Sequence, residues 1–192
     1  MYFLGCDPDL HSLSVAVVTD TGKLHGVLMC KSKGKKKEEA VVAILRTFAE
    51  VGRALRELTP RVCAVAVESQ NVGYTGRTNN ARRQDLIYLA QVAGGVVREL
   101  SQSGPCPAMY MPKPQEWKGS VPKKIHQCRV LSKLGIETMF MGRHSAYPVP
   151  VDYTKYVLHG HVTNSDWLDI TDSVGLAVWA REQWLKEQGK RR

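Results

Sequence analysis

The run Val62-Cys63-Ala64-Val65-Ala66-Val67 contains no polar residue and no alternation. A strand with one solvated face alternates apolar and polar side chains, whereas a strand covered on both faces reads as a continuous apolar run. This segment therefore belongs in the middle of a sheet, with a layer packed on each side. Helical periodicity elsewhere supplies such layers. From Lys36 to Leu58, Val41, Ile44, Leu45, Phe48, Val51, Leu55 and Leu58 recur at helical spacing, and Thr59-Pro60 ends the run. A second helix from about Ala81 to Ser101 has Leu86, Leu89, Ala90, Ala93, Val96, Val97 and Leu100 as its stripe. Strands with interposed helices specify an α/β layer fold around a mixed sheet.

The remaining chain fills in that plan. Tyr2 to Cys6 is a short apolar strand, Leu13 to Thr19 a second and Leu24 to Met29 a third, with Asp20-Thr21-Gly22 as a turn signal between the last two. The three form an antiparallel meander. Ala108 to Met111 is a further short strand, Val121 to Leu134 a helix, and Ser165 to Gln188 a last helix before a frayed Lys190-Arg191-Arg192 tail. Residues 141–164 contain prolines, aromatics and three histidines without a clear period, which suits an extended loop or lid. Neither a repeat nor a linker divides the chain, and 192 residues with 43% hydrophobic content can bury one substantial core. A single domain over residues 1–192 is expected.

Composition narrows the function classes. No apolar run approaches the length needed to cross a bilayer, and the start Met1-Tyr2-Phe3-Leu4-Gly5-Cys6-Asp7 has no basic leader. A soluble, unexported, cytoplasmic protein is expected. Five cysteines without regular spacing argue against a disulfide framework or a zinc site. Lys plus Arg number 27 against 18 Asp plus Glu, a net charge of +9, which favours an anionic partner, nucleic acid first among them. Lys31, Lys33, Lys35, Lys36 and Lys37 crowd one loop, and Arg77, Arg82, Arg83, Lys113, Lys118, Lys123 and Lys124 lie near candidate acids. A solvated lysine loop is the plain alternative for any one cluster.

Those acids are placed where acids are least expected. Asp169 and Asp172 are three residues apart in a mostly apolar helix, so they share one of its faces. Asp7 follows the apolar run of the first strand, and Glu68 follows Val67. Acids at the carboxyl ends of neighbouring strands gather in the crevice where open α/β sheets bind ligands. Carboxylates brought to one point repel each other unless positive charge sits among them. Hard oxygen donors suit Mg²⁺ or Mn²⁺, and a basic protein with such a site fits a nuclease. Singly, Asp7 before Pro8 also suits a turn and Glu68 a surface strand end. The polar loop after Glu68 holds Tyr74, which either packs on the sheet or stacks on an unpaired base. His144, His159 and His161 lack acid or cysteine partners at ligand spacing and are expected to be loop residues.

The chain resembles the RuvC-type Holliday junction resolvases of the RNase H-like superfamily. The resemblance rests on Gly5-Cys6-Asp7-Pro8, on Val65-Ala66-Val67-Glu68, on Asp169-Ile170-Thr171-Asp172-Ser173, and on Pro112-Lys113-Pro114-Gln115-Glu116-Trp117-Lys118-Gly119 followed by Lys123-Lys124. It implies an RNase H-like fold with a five-stranded mixed sheet and helices on both faces. It also implies two Mg²⁺ ions per site, with Mn²⁺ as a substitute, held by Asp7, Glu68, Asp169 and Asp172. The activity it implies is hydrolysis of phosphodiester bonds at a DNA branch point by a homodimer acting on a four-way junction. Lys118 matches a lysine that assists at the scissile phosphate, and Lys123 or Lys124 matches a second, with Lys124 carried as the catalytic candidate. Lys33, Lys35, Lys36, Lys37, Tyr74, Arg77, Arg82, Arg83, Lys113 and Lys123 are the expected DNA contacts, and the small-residue face of the 81–101 helix is the candidate dimer contact.

This chain departs from the family at Asp7-Pro8-Asp9, where the family often has Asp-Pro-Gly, and in the longer 141–164 segment. Asp166 is expected to start the last helix or to support the acids from behind rather than to bind metal. Broader branched-DNA cleavage and junction binding without catalysis remain as alternatives. A phosphotransferase of the related actin-like fold would need a second Gly-rich phosphate loop, which is not present.

Overall fold

The computed structural model describes residues 1–32, 34, 36–58, 61–69, 80–101, 107–142 and 146–190, with backbone alone at 51, 53–58 and 80–83. The elements run β1 (Tyr2–Pro8), β2 (Ser12–Thr19), β3 (Leu24–Lys31), α1 (Lys37–Leu58), β4 (Val62–Val67), α2 (Asn80–Ser101), β5 (Ala108–Tyr110), α3 (Pro114–Lys118), α4 (Lys123–Lys133), β6 (Thr138–Met141), β7 (Tyr147–Pro150), β8 (Val157–His159) and α5 (Trp167–Lys190). The main sheet has the order β5-β4-β1-β2-β3-β8. The first three strands form the antiparallel meander, while β4 runs parallel to β1, β5 to β4 and β8 to β3. This is the expected mixed sheet with helices on both faces.

The nonalternating β4 lies between β1 and β5, with Ala64, Val65, Ala66 and Val67 all fully buried. On one face α1 and α2 bury Ile44, Phe48, Val92 and Val96 against Leu4, Val15, Val65 and Val67. On the other, α5 crosses the centre of the sheet, where Leu176 meets Phe3, Ala64 and Ala66, and Ile170, Val174 and Ala177 meet Ala16 and Val18. The contact between α5 and β1 depends on Gly5. A Cβ there would lie 2.0 Å from the Ser173 carbonyl oxygen and 2.3 Å from the Ala177 nitrogen. Backbone packs on backbone at that point, which draws the first turns of α5 onto the carboxyl end of β1.

The sheet has six strands rather than the expected five. The extra strand, β8, comes from the segment read as an aperiodic loop or lid, which also contains β7 and a 3-10 turn at Tyr153–Tyr156. Strands of three and four residues are too short to show a period of two. Tertiary contact specifies β8 instead, because the Leu158 side chain fills the space where a Gly26 Cβ would sit, 2.3 Å from Leu158 Cγ. The helix expected over Val121 to Leu134 is preceded by a separate short helix, α3. No helix among the described residues is long and apolar enough to cross a membrane. Cys6, Cys30, Cys63 and Cys128 are free thiols.

Candidate active site

Parallel pairing of β1 with β4 sets Cys6 opposite Val67, and the Glu68 amide donates to the Cys6 carbonyl at 2.9 Å. Asp7 and Glu68 therefore emerge side by side at the carboxyl end of the sheet. From the other direction α5 brings Asp169 and Asp172 over the same end, and Ser14 Oγ on β2 donates to the Asp169 carbonyl at 3.2 Å. Within α5 the hydroxyls of Thr171 and Ser173 are bonded to the helix's own carbonyls, of Trp167 and Ile170. The Asp172 carboxylate has no such local partner and must be satisfied by other elements.

Those partners come from α3 and α4. Lys123 Nζ lies 3.0 Å from Asp172 Oδ2 and 3.9 Å from Asp169 Oδ1, and Lys118 Nζ lies 3.8 Å from Asp172 Oδ2. Gln127 Nε2 donates to Asp172 Oδ1 at 3.1 Å and to the Leu168 carbonyl at 2.7 Å. The Asp172 side chain is thus divided, with one oxygen held by an amide and the other facing two ammonium groups. Gly175, one turn along α5, makes this approach possible: a Cβ there would lie 2.6 Å from Trp117 Cζ3 and 3.1 Å from His126 Nε2. Trp117 and His126 meet edge to face at 5.0 Å, and Lys118 Nζ sits 4.8 Å from the Trp117 ring centre, so α3 and α4 dock together on α5.

The electrostatics show a cluster with a surplus of negative charge. Burial first, then Glu68 and Asp172, lifts the Asp7 carboxyl well above its usual range, against the pull of Lys123. Glu68 is also lifted, by burial and by Asp172, although Lys118, Lys123 and a hydrogen bond with Asp7 oppose the change. Burial raises Asp169 in the same direction, with Asp9, Asp172 and Asp166 adding to it. Asp9, the departure from Asp-Pro-Gly, therefore acts on the cluster through Asp169. For Lys123 burial disfavours the charged form, yet Asp172, Asp169 and Asp7 outweigh it and raise its value.

This donor set fits a divalent cation. Hard carboxylate oxygens from β1, from the residue after β4 and from α5 face one another, and two of the carboxyls resist ionising together, which is the condition a dication relieves. As the side chains stand, no group of three or more His, Cys, Asp or Glu among the described residues is gathered closely enough to hold a metal ion. Among the described ion pairs, the cations beside these acids are the Lys118 and Lys123 ammonium groups.

Of the expected lysines, Lys118 and Lys123 reach the carboxylates. Lys124 does not make those contacts: its Nζ lies over the Phe140 ring, 5.3 Å from the centre, and among the described ion pairs it has none with the four acids. One residue on a helix is a turn of about 100°, so adjacent lysines cannot share one target. Gln127 was not singled out in the sequence. Its signal was present, because it shares the buried stripe of α4 with Val130 and Leu131. Asp166 accepts from the Thr163 amide, the Thr163 hydroxyl and Lys31 Nζ, the last at 2.7 Å. Burial works against its charge, but Lys31 and Thr163 hold its carboxyl below the usual range at the start of α5.

The expected outer contacts divide three ways. Lys36 and Lys113 are exposed, whereas Lys37 is ion-paired with Asp85 and ties α1 to α2. Lys33, Lys35, Tyr74, Arg77 and His144 lie outside the described residues, and Arg82 and Arg83 are placed by backbone alone on the first turn of α2. His159 and His161 are exposed.

The architecture matches that of Thermus thermophilus RuvC in complex with a Holliday junction substrate, with a TM-score of 0.62 over 98% of this chain and 96% of that one at 14% identity. The fold is that of RuvC. A second Thermus thermophilus RuvC structure matches with a TM-score of 0.60 over 98% of this chain and 97% of that one, again at 14% identity. No family model and no curated protein matches the sequence. The RuvC-type, RNase H-like fold thus extends over nearly the whole chain.

Proposed function

We propose that this protein is a cytoplasmic, metal-dependent, structure-specific DNA endonuclease that resolves Holliday junctions by hydrolysing phosphodiester bonds at the branch point. The observation that carries this reading is the meeting of Asp7, Glu68, Asp169 and Asp172 from three parts of the fold with Lys118 and Lys123 beside them. The four carboxylates would hold two Mg²⁺ ions, or Mn²⁺ in their place, which when bound supply activation of water and charge stabilisation of the leaving oxygen. The chain's own groups do the positioning. Gln127 fixes the orientation of Asp172, the Trp117 ring and Asp172 hold Lys118 at the rim, and Lys118 offers positive charge to a phosphate entering the crevice.

The net charge of +9 supports a phosphate-rich partner, and a four-way junction is the proposed substrate. A homodimer would present two such sites to one junction. The proposed contact is the face of α2 that holds exposed Ile87, Ala90 and Gly94; Ala93 lies in the core and Gly95 packs against Leu45 of α1.

The test is cleavage of end-labelled four-way junctions, three-way forks, flaps and linear duplex, with Mg²⁺, Mn²⁺ or chelator, by wild type and Asp169→Asn. Paired symmetric nicks on the junction alone, lost in the variant, are the expected result. Cutting of forks and flaps as well would broaden the substrate to branched DNA, and binding without cutting would make the protein a junction scaffold.

A further inference from the structure

Asp172 Oδ2 is the contested atom of the site. Its sister oxygen is committed to Gln127, which is itself fixed by a second bond to the Leu168 carbonyl. Oδ2 is the Asp172 oxygen without an amide partner, and beside it lies Lys123 Nζ at 3.0 Å, which also reaches Asp169 Oδ1 at 3.9 Å, so a cation entering at Oδ2 meets that ammonium. Lys118 addresses the same oxygen from 3.8 Å but is also held by the Trp117 ring. The described contacts of the Lys123 ammonium are all with carboxylates. Its side chain is 45% exposed, so it can swing to solvent without unpacking α4.

We propose that Lys123 is a built-in counter-ion, and that a divalent cation loads the site by displacing it from Asp172 Oδ2 and Asp169. This inference rests on the proposed metal site and adds a competitor to it. In the metal-free protein the lysine limits repulsion among the acids. When the cation arrives the same ammonium becomes surplus positive charge a few ångströms away, and it leaves. Occupancy by lysine and occupancy by metal are then coupled with opposite sign. The exchange keeps the acids collected in the empty protein and weakens metal affinity relative to the carboxylate set alone.

The experiment is titration of wild type, Lys123→Gln and Lys123→Arg with Mn²⁺ by isothermal calorimetry, without DNA and at low ionic strength. It is paired with amine acetylation of wild type, read by peptide mass spectrometry at Lys123 with Mn²⁺ or chelator. Lys123→Gln is expected to bind Mn²⁺ about 5-fold or more tightly than wild type. Lys123→Arg should remain near wild type, and Lys123 acetylation should rise when Mn²⁺ is present. Equal or weaker affinity in Lys123→Gln, with wild type still binding, overturns the exchange and leaves the metal site standing. Wild type that binds no Mn²⁺ overturns both. Should the glutamine variant fail to fold, acetylation of wild type decides, and labelling unchanged by Mn²⁺ counts against the proposal.

Discussion

At the scale of single residues, the site is governed by how unwillingly its acids ionise together. Asp7 and Glu68 have folded-state values above those of the unfolded chain. The folded protein thus holds more protons than the unfolded chain between the two values, and stability in the absence of metal falls as pH rises through that window. Stability from this source is full below the ordinary carboxylate range and is lost at higher pH. Asp7→Asn removes one charge and should flatten the decline. Its melting temperature in chelator at pH 8 should exceed that of wild type, by about 2–4 °C for each kcal/mol of repulsion relieved. Calorimetry at pH 5 and pH 8 checks this, and an unchanged slope would show that Asp7 is not the seat of the effect. Gln127 has the opposite character, since it is buried and uncharged and its amide nitrogen bonds both Asp172 and the Leu168 carbonyl. Gln127→Leu should fold and yet lose about 10–100-fold in metal affinity, measured by Mn²⁺ titration.

At the scale of elements, two glycines on opposite sides of the α5 packing set the distances in the site. Gly5 lets α5 reach β1, and the groups that block a Cβ there are backbone atoms that cannot rotate away. Gly5→Ala should cost about 3 kcal/mol, read as a lower urea midpoint with an unchanged slope. Gly175 lets α3 and α4 reach α5, and what blocks its Cβ is the edge of Trp117 and His126. Gly175→Ala should leave the sheet intact but displace Trp117 and with it Lys118 from Asp172. A misplacement of about 1 Å is worth roughly 100-fold in rate, so cleavage should fall on that order while far-ultraviolet circular dichroism is preserved.

At the scale of the whole molecule, the charge surplus and the exposed part of α2 bear on assembly. Ile87 is 58% exposed on a helix whose opposite side packs against α1 and the sheet. If two copies meet there, Ile87→Glu should turn a dimer at micromolar concentration into a monomer in analytical ultracentrifugation. Binding of that variant to a junction should persist, because phosphate contacts carry affinity independently of the pairing, while paired cleavage should give way to single nicks.

Sequence by itself determined the order of the layers, because the nonalternating run at 62–67 and the helical stripes of α1 and α2 are local patterns that admit one kind of packing. It also marked Asp7, Glu68, Asp169 and Asp172 as acids in apolar surroundings, since periodicity reports an element's buried face wherever that element later packs. Only the tertiary structure decided which cations meet them. The choice between Lys123 and Lys124 is a matter of how α4 is rotated on α5, and Gly175 and Trp117 set that rotation. The hold of Gln127 on Asp172 spans residues far apart in sequence, and β8 becomes a strand through its pairing with β3 and the fit of Leu158 on Gly26. These features are relations between elements, and a helix or strand pattern read alone carries no information about the partner it will face.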